Sequence, residues 1–133
     1  MASTFQLTIV SPDRTVVDEA TSSVVAPGAL GYFGVQANHE PFVSQLRTGI
    51  LSFRDAGGQE QLVAISGGFL EASSGHVIVC ADSAERPFEI DRDRVMAALD
   101  RAKKRLEERH ADINVARAQG SMERALNRMK LLE

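Results

Sequence analysis

This chain of 133 residues is poor in reactive chemistry. It contains one cysteine, Cys80, so no disulfide can close within it. Cys80 ends the apolar run His76-Val77-Ile78-Val79-Cys80, where a small buried hydrophobe is expected rather than a reactive thiol. That usage fits a reducing compartment. No apolar stretch approaches the roughly 18 residues that carry a helix across a bilayer. The opening residues, Met1 to Val10, lack the basic flank and cleavage pattern of a secretory signal. No aromatic residue follows Phe88, which removes from the last third the stacking platforms used by readers of single-stranded nucleic acid. No Gly-x-Ser-x-Gly surrounds Ser66, so a nucleophile elbow is excluded. The glycines at 28, 31 and 34 are not followed by Lys-Ser/Thr, so they do not form a phosphate loop. His39 and Glu40 are neighbours, but adjacent residues on an extended chain point to opposite sides. His76 and His110 stand too far off to give metal-ligand spacing.

What is present is unevenly distributed. Residues 1–90 carry four arginines, no lysine and ten carboxylates, a balance of −6. Residues 91–133 carry eleven cations and eight carboxylates, a balance of +3. Nine of the ten glycines and all four prolines also fall within residues 1–90. Such a shift marks two structural parts, which we place at 1–86 and 87–133. With 44% hydrophobic residues, the chain has enough apolar surface to bury a core.

The first part alternates with period two. Phe5, Leu7 and Ile9 interleave with Gln6 and Thr8, the pattern of a half-buried strand. Further strands are expected at 15–20, 22–27, 49–55, 60–66, 68–73 and 76–82. Turns are expected at Pro12-Asp13, Ala56-Gly57-Gly58, Gly67-Gly68 and Ser73-Ser74-Gly75. Short strands at this spacing predict an antiparallel sandwich or barrel. The second part changes period. Val95, Leu99, Ala102 and Leu106 form one helical stripe, and Val115, Ala118, Met122, Ala125, Met129 and Leu132 form another. Asp112 is the expected N-cap of the second helix, and so short a connection predicts an antiparallel hairpin. Alanines make both stripes lean, so the pair buries little area and can rearrange.

Four segments, in order, carry a resemblance. They are "LTIVSPDRTVVDEATSSVVAPG", "GYFGVQANHEPFVSQLRTGIL", "ISGGFLEASSGHVIVCADSAER" and "DINVARAQGSMERALNRMKLL". Together they resemble the epsilon subunit of bacterial-type F-type ATP synthases. The resemblance implies a non-catalytic rotor subunit whose partners are gamma, the c-ring and the catalytic alpha/beta hexamer. It would lie peripherally at the cytoplasmic face of a bacterial membrane, touching the membrane only through the complex and binding no nucleic acid. Its helical hairpin would inhibit ATP hydrolysis. A loop comprising Gly31, Tyr32, Phe33, Gly34, Val35, His39 and Pro41 would dock on the ring. Family members often carry an acidic residue in this loop, where this chain has Ala29 and Tyr32 at the neighbouring positions. No cofactor is required. Regulatory ATP is implied by similarity to an Ile/Leu-Asp-x-x-Arg-Ala motif, matched by Ile90, Asp91 and Arg94 with Val95 in place of Ala. Arg101, Arg124 and Arg128 would add cations for its phosphates. The rival readings are a stand-alone sandwich with a basic helical tail that binds nucleic acid or an acidic protein, and a hydrolase built on His39 and Glu40.

Overall fold

The computed structural model describes residues 3–108 and 114–133. The chain divides into two compact units, Met1–Arg86 and Pro87–Glu133. The first is all β: β1 (Phe5–Ser11), β2 (Arg14–Thr21), β3 (Ser23–Gly28), β4 (Gly31–Gln36), β5 (Phe42–Gln45), β6 (Gly49–Arg54), β7 (Glu60–Ser73) and β8 (His76–Glu85). The strands run in the order β2-β1-β8-β7-β6-β3-β4, with β5 also paired to β7. All pairings are antiparallel except that of β1 with β8.

The alternation in the sequence becomes the core. Leu7, Ile9, Val24, Leu51, Val63, Ile65, Leu70, Val77 and Val79 are wholly buried, and Phe53 nearly so. Burial of a large aliphatic or aromatic side chain contributes about 1.5–3 kcal/mol, so this cluster is the main stabilising element of the unit.

Two expectations change. Residues 60–66 and 68–73 are a single strand, and Gly67-Gly68 is a kink inside it rather than a turn. Both glycines have positive φ, +69° and +99°. The pairing with β8 is unshifted on either side, Ser66 opposite Ser83 and Gly68 opposite Ala81. A Cβ on Gly68 would collide with the Cys80 carbonyl oxygen, so the kink admits no side chain there. Beyond β8, the two halves of β7 take different partners. Glu60 to Ile65 pair with β6, and Phe69 to Ala72 pair with β5. The second change concerns Gly31–Gln36. The expected docking loop is a strand at the sheet edge, hairpinned to β3 through Ala29-Leu30. Its glycines look like loop residues, but β3 supplies a complete ladder for them.

The second unit holds α1 (Arg92–Glu108) and α2 (Val115–Leu131). Arg92 Nη2 donates to Leu132 O at 3.3 Å, which sets the start of α1 beside the end of α2 and makes the pair antiparallel. Val95, Ala102, Ala118 and Ala125 are buried as the stripes require. Val115 is 41% exposed, and the stripe closes on buried Leu131 rather than Leu132, which caps the helix end. Asn127 is buried among the apolar positions, which no stripe anticipates. The expected cap Asp112 lies outside the described residues. The cap observed on α2 is Asn114, whose side chain accepts from Arg117 N at 3.0 Å.

The β6–β7 hairpin closes on Asp55. Its Oδ1 accepts from Gly57 N and Gln59 N, both at 2.9 Å, and its Oδ2 accepts from Gln61 Nε2 at 3.0 Å. The Gln59 bond is the main reason its carboxyl lies below the usual carboxylate range; desolvation opposes it, and the bonds from Gln61 and Gly57 add to it. A depressed folded pKa stabilises above the unfolded value of about 3.9 and ceases to do so as pH falls through the lower folded value. Thermal melts from about pH 6 down to about pH 2 should therefore show a shallower acid limb for Asp55→Asn than for the parent chain, since the amide oxygen keeps the backbone bonds without titrating.

Candidate functional site

The residues expected to form one docking loop are separated by the fold. Gly31 and Tyr32 lie at the start of β4, and His39 and Pro41 lie beyond its end. Five strand steps between Gly31 and Gln36 correspond to about 17 Å. Phe33 packs against the core, partly buried, and meets Phe42 edge to face at 5.8 Å, and Val35 is 2% exposed, so Val35 has no side-chain surface to offer a partner. Gly34 faces outward on the edge strand.

The tip of the β3–β4 hairpin is the exposed part. Leu30 is fully exposed, and Tyr32 is 53% exposed. The Tyr32 hydroxyl accepts from Ile50 N at 3.0 Å. Gly49 makes this approach feasible, because a Cβ there would lie 2.5 Å from Pro27 Cβ and 2.7 Å from the Tyr32 hydroxyl. The Arg47 guanidinium stands 5.8 Å from the centre of the Tyr32 ring, within cation–π range. Backbone bonds fix the base of the tip. Ala29 N donates to Gln45 O at 2.9 Å, Arg47 N to Pro27 O at 2.9 Å, and Leu46 N to Gly68 O at 2.8 Å. Leu30 and Arg47 were not among the expected site residues. The available signal was a lone cation beside Leu46 in an acidic, lysine-free half.

His39 serves the fold. Its Nδ1 lies 2.9 Å from Gln36 O and its Nε2 lies 2.5 Å from Ser73 O, while its ring meets Phe5 edge to face at 5.1 Å. Both polar partners are carbonyl oxygens, so the nitrogen that carries the ring proton donates to one of them and the other nitrogen lies against the second. Among the described residues no group of three or more His, Cys, Asp or Glu could hold a metal.

The motif residues of the second unit are partly committed as well. Asp91 caps α1, its Oδ1 accepting from Asp93 N at 3.0 Å and Arg94 N at 3.2 Å. Ile90 N donates to Pro87 O at 3.2 Å. Arg94 and Arg101 are exposed and seven residues apart on α1, hence on one face. Arg124 Nη2 donates to Ser121 Oγ at 3.3 Å, and Arg128 follows one turn later, half-buried. Val95 is 6% exposed, so its extra methyls lie inside the packed face and do not crowd the surface that Arg94 presents.

The family model for the ATP synthase Delta/Epsilon chain beta-sandwich domain matches residues 4–87. That for the Delta/Epsilon chain long alpha-helix domain matches residues 89–133. An ATP synthase epsilon chain from Moorella thermoacetica is 44% identical over 124 residues, covering 93% of this chain and 92% of the relative. One from Desulforamulus reducens is 42% identical over 133 residues, covering 100% of both. A chain in the cryo-EM structure of the Euglena gracilis mitochondrial ATP synthase, OSCP/F1/c-ring, superposes with a TM-score of 0.75 at 28% identity, covering 99% of this chain and 81% of that one.

Removing the His39 tether should loosen the 37–41 turn without touching the tip. Replacing His39 by Ala is expected to cost about 1–3 kcal/mol in folding stability, from the unmade hydrogen bonds. Amide hydrogen exchange should accelerate at Gln36 to Glu40 while Ile50 and Arg47 stay protected. Unchanged exchange throughout would show that the two carbonyl contacts contribute nothing.

Proposed function

The chain belongs to the ATP synthase delta/epsilon family, and we propose that it works as the non-catalytic subunit of the rotor's central stalk. Its sandwich binds gamma and couples rotation of the membrane ring to the catalytic alpha/beta hexamer. Its hairpin restrains ATP hydrolysis. The observation that carries this reading is the match of both family domains, in order, along nearly the whole chain. The division of the chain into two compact units suits a constant docking body and a separate regulatory element. Docking on the ring falls to the β3–β4 tip. The protein sits peripherally on the cytoplasmic face of a bacterial membrane. Among the described residues no helix is long and apolar enough to cross that membrane, and contact with it runs through the complex.

The hairpin seam is lean because alanines fill three of its buried positions, Ala102, Ala118 and Ala125. Buried apolar area contributes only about 25 cal/mol per Å², so such a seam opens with a modest input. ATP is the regulatory ligand of this unit, with Arg94, Arg101, Arg124 and Arg128 as phosphate cations and Ile90 and Asp91 setting the helix start. The rival nucleic-acid reading has less behind it, since eight carboxylates are interleaved with the cations of this part.

Co-purification with gamma and the hexamer tests the assignment. A chain ending at Arg86 should still unfold cooperatively, bind gamma and support coupling, while ATP hydrolysis by the assembled enzyme rises. Hydrolysis unchanged at low and high ATP would remove the hairpin's inhibitory role. Calorimetric titration of the isolated chain should show ATP binding at millimolar concentration that Arg94→Ala abolishes through loss of a charge-assisted phosphate contact. Because Val95 is buried, Val95→Ala should lower hairpin stability by about 1–2 kcal/mol rather than open a ligand site.

A further inference from the structure

At the opposite end of the β3–β4 hairpin from its tip lies a polar cleft. Its volume is about 450 Å³, within the range of about 300–1,000 Å³ of small-ligand clefts. Ser3, Ser22, Ser23, Gln36, Asn38 and Arg54 line it, and the one apolar side chain among them is that of Ala37. These residues come from four segments: the lead-in to β1, the β2–β3 corner, the end of β4 with the turn after it, and the end of β6.

Thr21 sets the walls. Among the described residues of the first unit it is the one buried polar side chain. Its hydroxyl donates to Arg54 O at 2.6 Å and accepts from Ser23 N at 3.3 Å, with Ser23 O 2.9 Å away. Ser22 N also donates to Arg54 O, at 3.2 Å. In the ladders Ser23 stands opposite both Gln36 and Arg54. Three of the four segments are thus fixed to one another without a ligand, which lowers the ordering cost of binding one.

The chemistry of the walls is one-sided. Residues 1–90 hold ten carboxylates and four arginines, yet the cleft takes one arginine and no carboxylate. Arg54 Nη1 donates to Gly58 O at 3.0 Å, and the rest of its fork is left open. Glu60 stands opposite Arg54 in the β6–β7 ladder, but among the described residues the two form no ion pair. The side chains of Ser3, Ser22, Ser23, Gln36 and Asn38 have no hydrogen-bond partner among the described residues. A guanidinium fork suits a phosphate, and hydroxyl and amide groups, which both donate and accept, suit alcohols. No aromatic ring lines the cleft, so a nucleobase would find nothing to stack on.

We propose that this cleft binds a small phosphorylated polyol, its phosphate on Arg54 and its hydroxyls on Ser23, Gln36 and Asn38. The site is built by the first unit alone and shares no residue with the arginines proposed for ATP.

The test is an amide NMR titration of the full-length chain with glycerol phosphate, since one spectrum reads both units. Saturable shifts are expected at Ser22, Ser23 and Gln36 to Asn38, with a dissociation constant in the millimolar range. Arg54→Gln removes the charge that meets the phosphate and should weaken binding about tenfold. Asn38→Asp sets a carboxylate against the ligand and should weaken it at least as much. Asp also tolerates the left-handed backbone of Asn38, φ 66°, so this variant keeps the fold even if Arg54→Gln loosens the β6–β7 hairpin. Ser23→Ala should weaken glycerol phosphate and leave inorganic phosphate unchanged. Shifts confined to α1 and α2 would overturn the proposal, because the helix cations would then be the anion site. So would undiminished affinity in a folded Asn38→Asp chain. Equal affinity for sulfate and glycerol phosphate would reduce the cleft to a general anion contact and would equally overturn it. None of these failures touches the family assignment or the hairpin's role.

Discussion

The carbonyl oxygen of Cys80 occupies the place where any residue but glycine at position 68 would carry its Cβ. Gly67 beside it is constrained by its backbone, whose φ of +69° side chains rarely adopt, while a Cβ there would only push the Asp82 carboxylate aside. These two positive-φ glycines let a 14-residue strand bend without losing register with its neighbour. The bend is what allows one strand to pair with β6 along its first half and β5 along its second. Each half then delivers its own side chains to the core, Val63 and Ile65 from one and Leu70 and Ala72 from the other. A straight β7 could not serve both partners, and β5 would lose its only strand pairing among the described residues. The position of the β3–β4 tip follows from the same bend, because Leu46 bonds to the Gly68 carbonyl at its exit.

Legibility in the sequence followed the physics of each element. β1 was plain because every second residue is buried, and burial of alternate side chains is what period two means. The helices were plain for the same reason at another period. β4 was not, because two of its six residues are glycines that carry no hydropathy signal, and its ladder to β3 is a tertiary fact. Gly67-Gly68 was legible as a departure from ordinary backbone but not as a kink, since a turn and a kink ask for the same residue. His39 misled because its acceptors are Gln36 and Ser73, the latter 34 residues away. Arg47 went unnoticed because its place over the Tyr32 ring is a tertiary fact.

The two units differ in how they are held. The sandwich relies on wholly buried Leu, Ile, Val and Phe, on nonlocal pairing, and on clasps such as Asp55. Among the described residues the hairpin buries Val95, Leu131 and three alanines, is capped by Asp91 and Asn114, and has Arg92 reaching the last turn. Opening the hairpin forfeits little buried area, whereas opening the sandwich forfeits the core. The division of labour proposed above, a steady coupling body with an adjustable brake, corresponds to this difference in cohesion.

The three backbone bonds at the base of the tip also set how it takes mechanical strain. Gln45 and Arg47 face β3, and Leu46 faces β7, so successive residues of one short segment are tied to opposite neighbours. A sideways pull on the tip would meet two of these bonds side by side, at Ala29 and Pro27. It loads the bonds to Gln45 and Arg47 together, and passes on through the Leu46 bond into β7. The tip is therefore less a free finger than a tooth whose root is clamped by a segment anchored in turn to the long bent strand, so load placed on it would spread into the body of the sandwich.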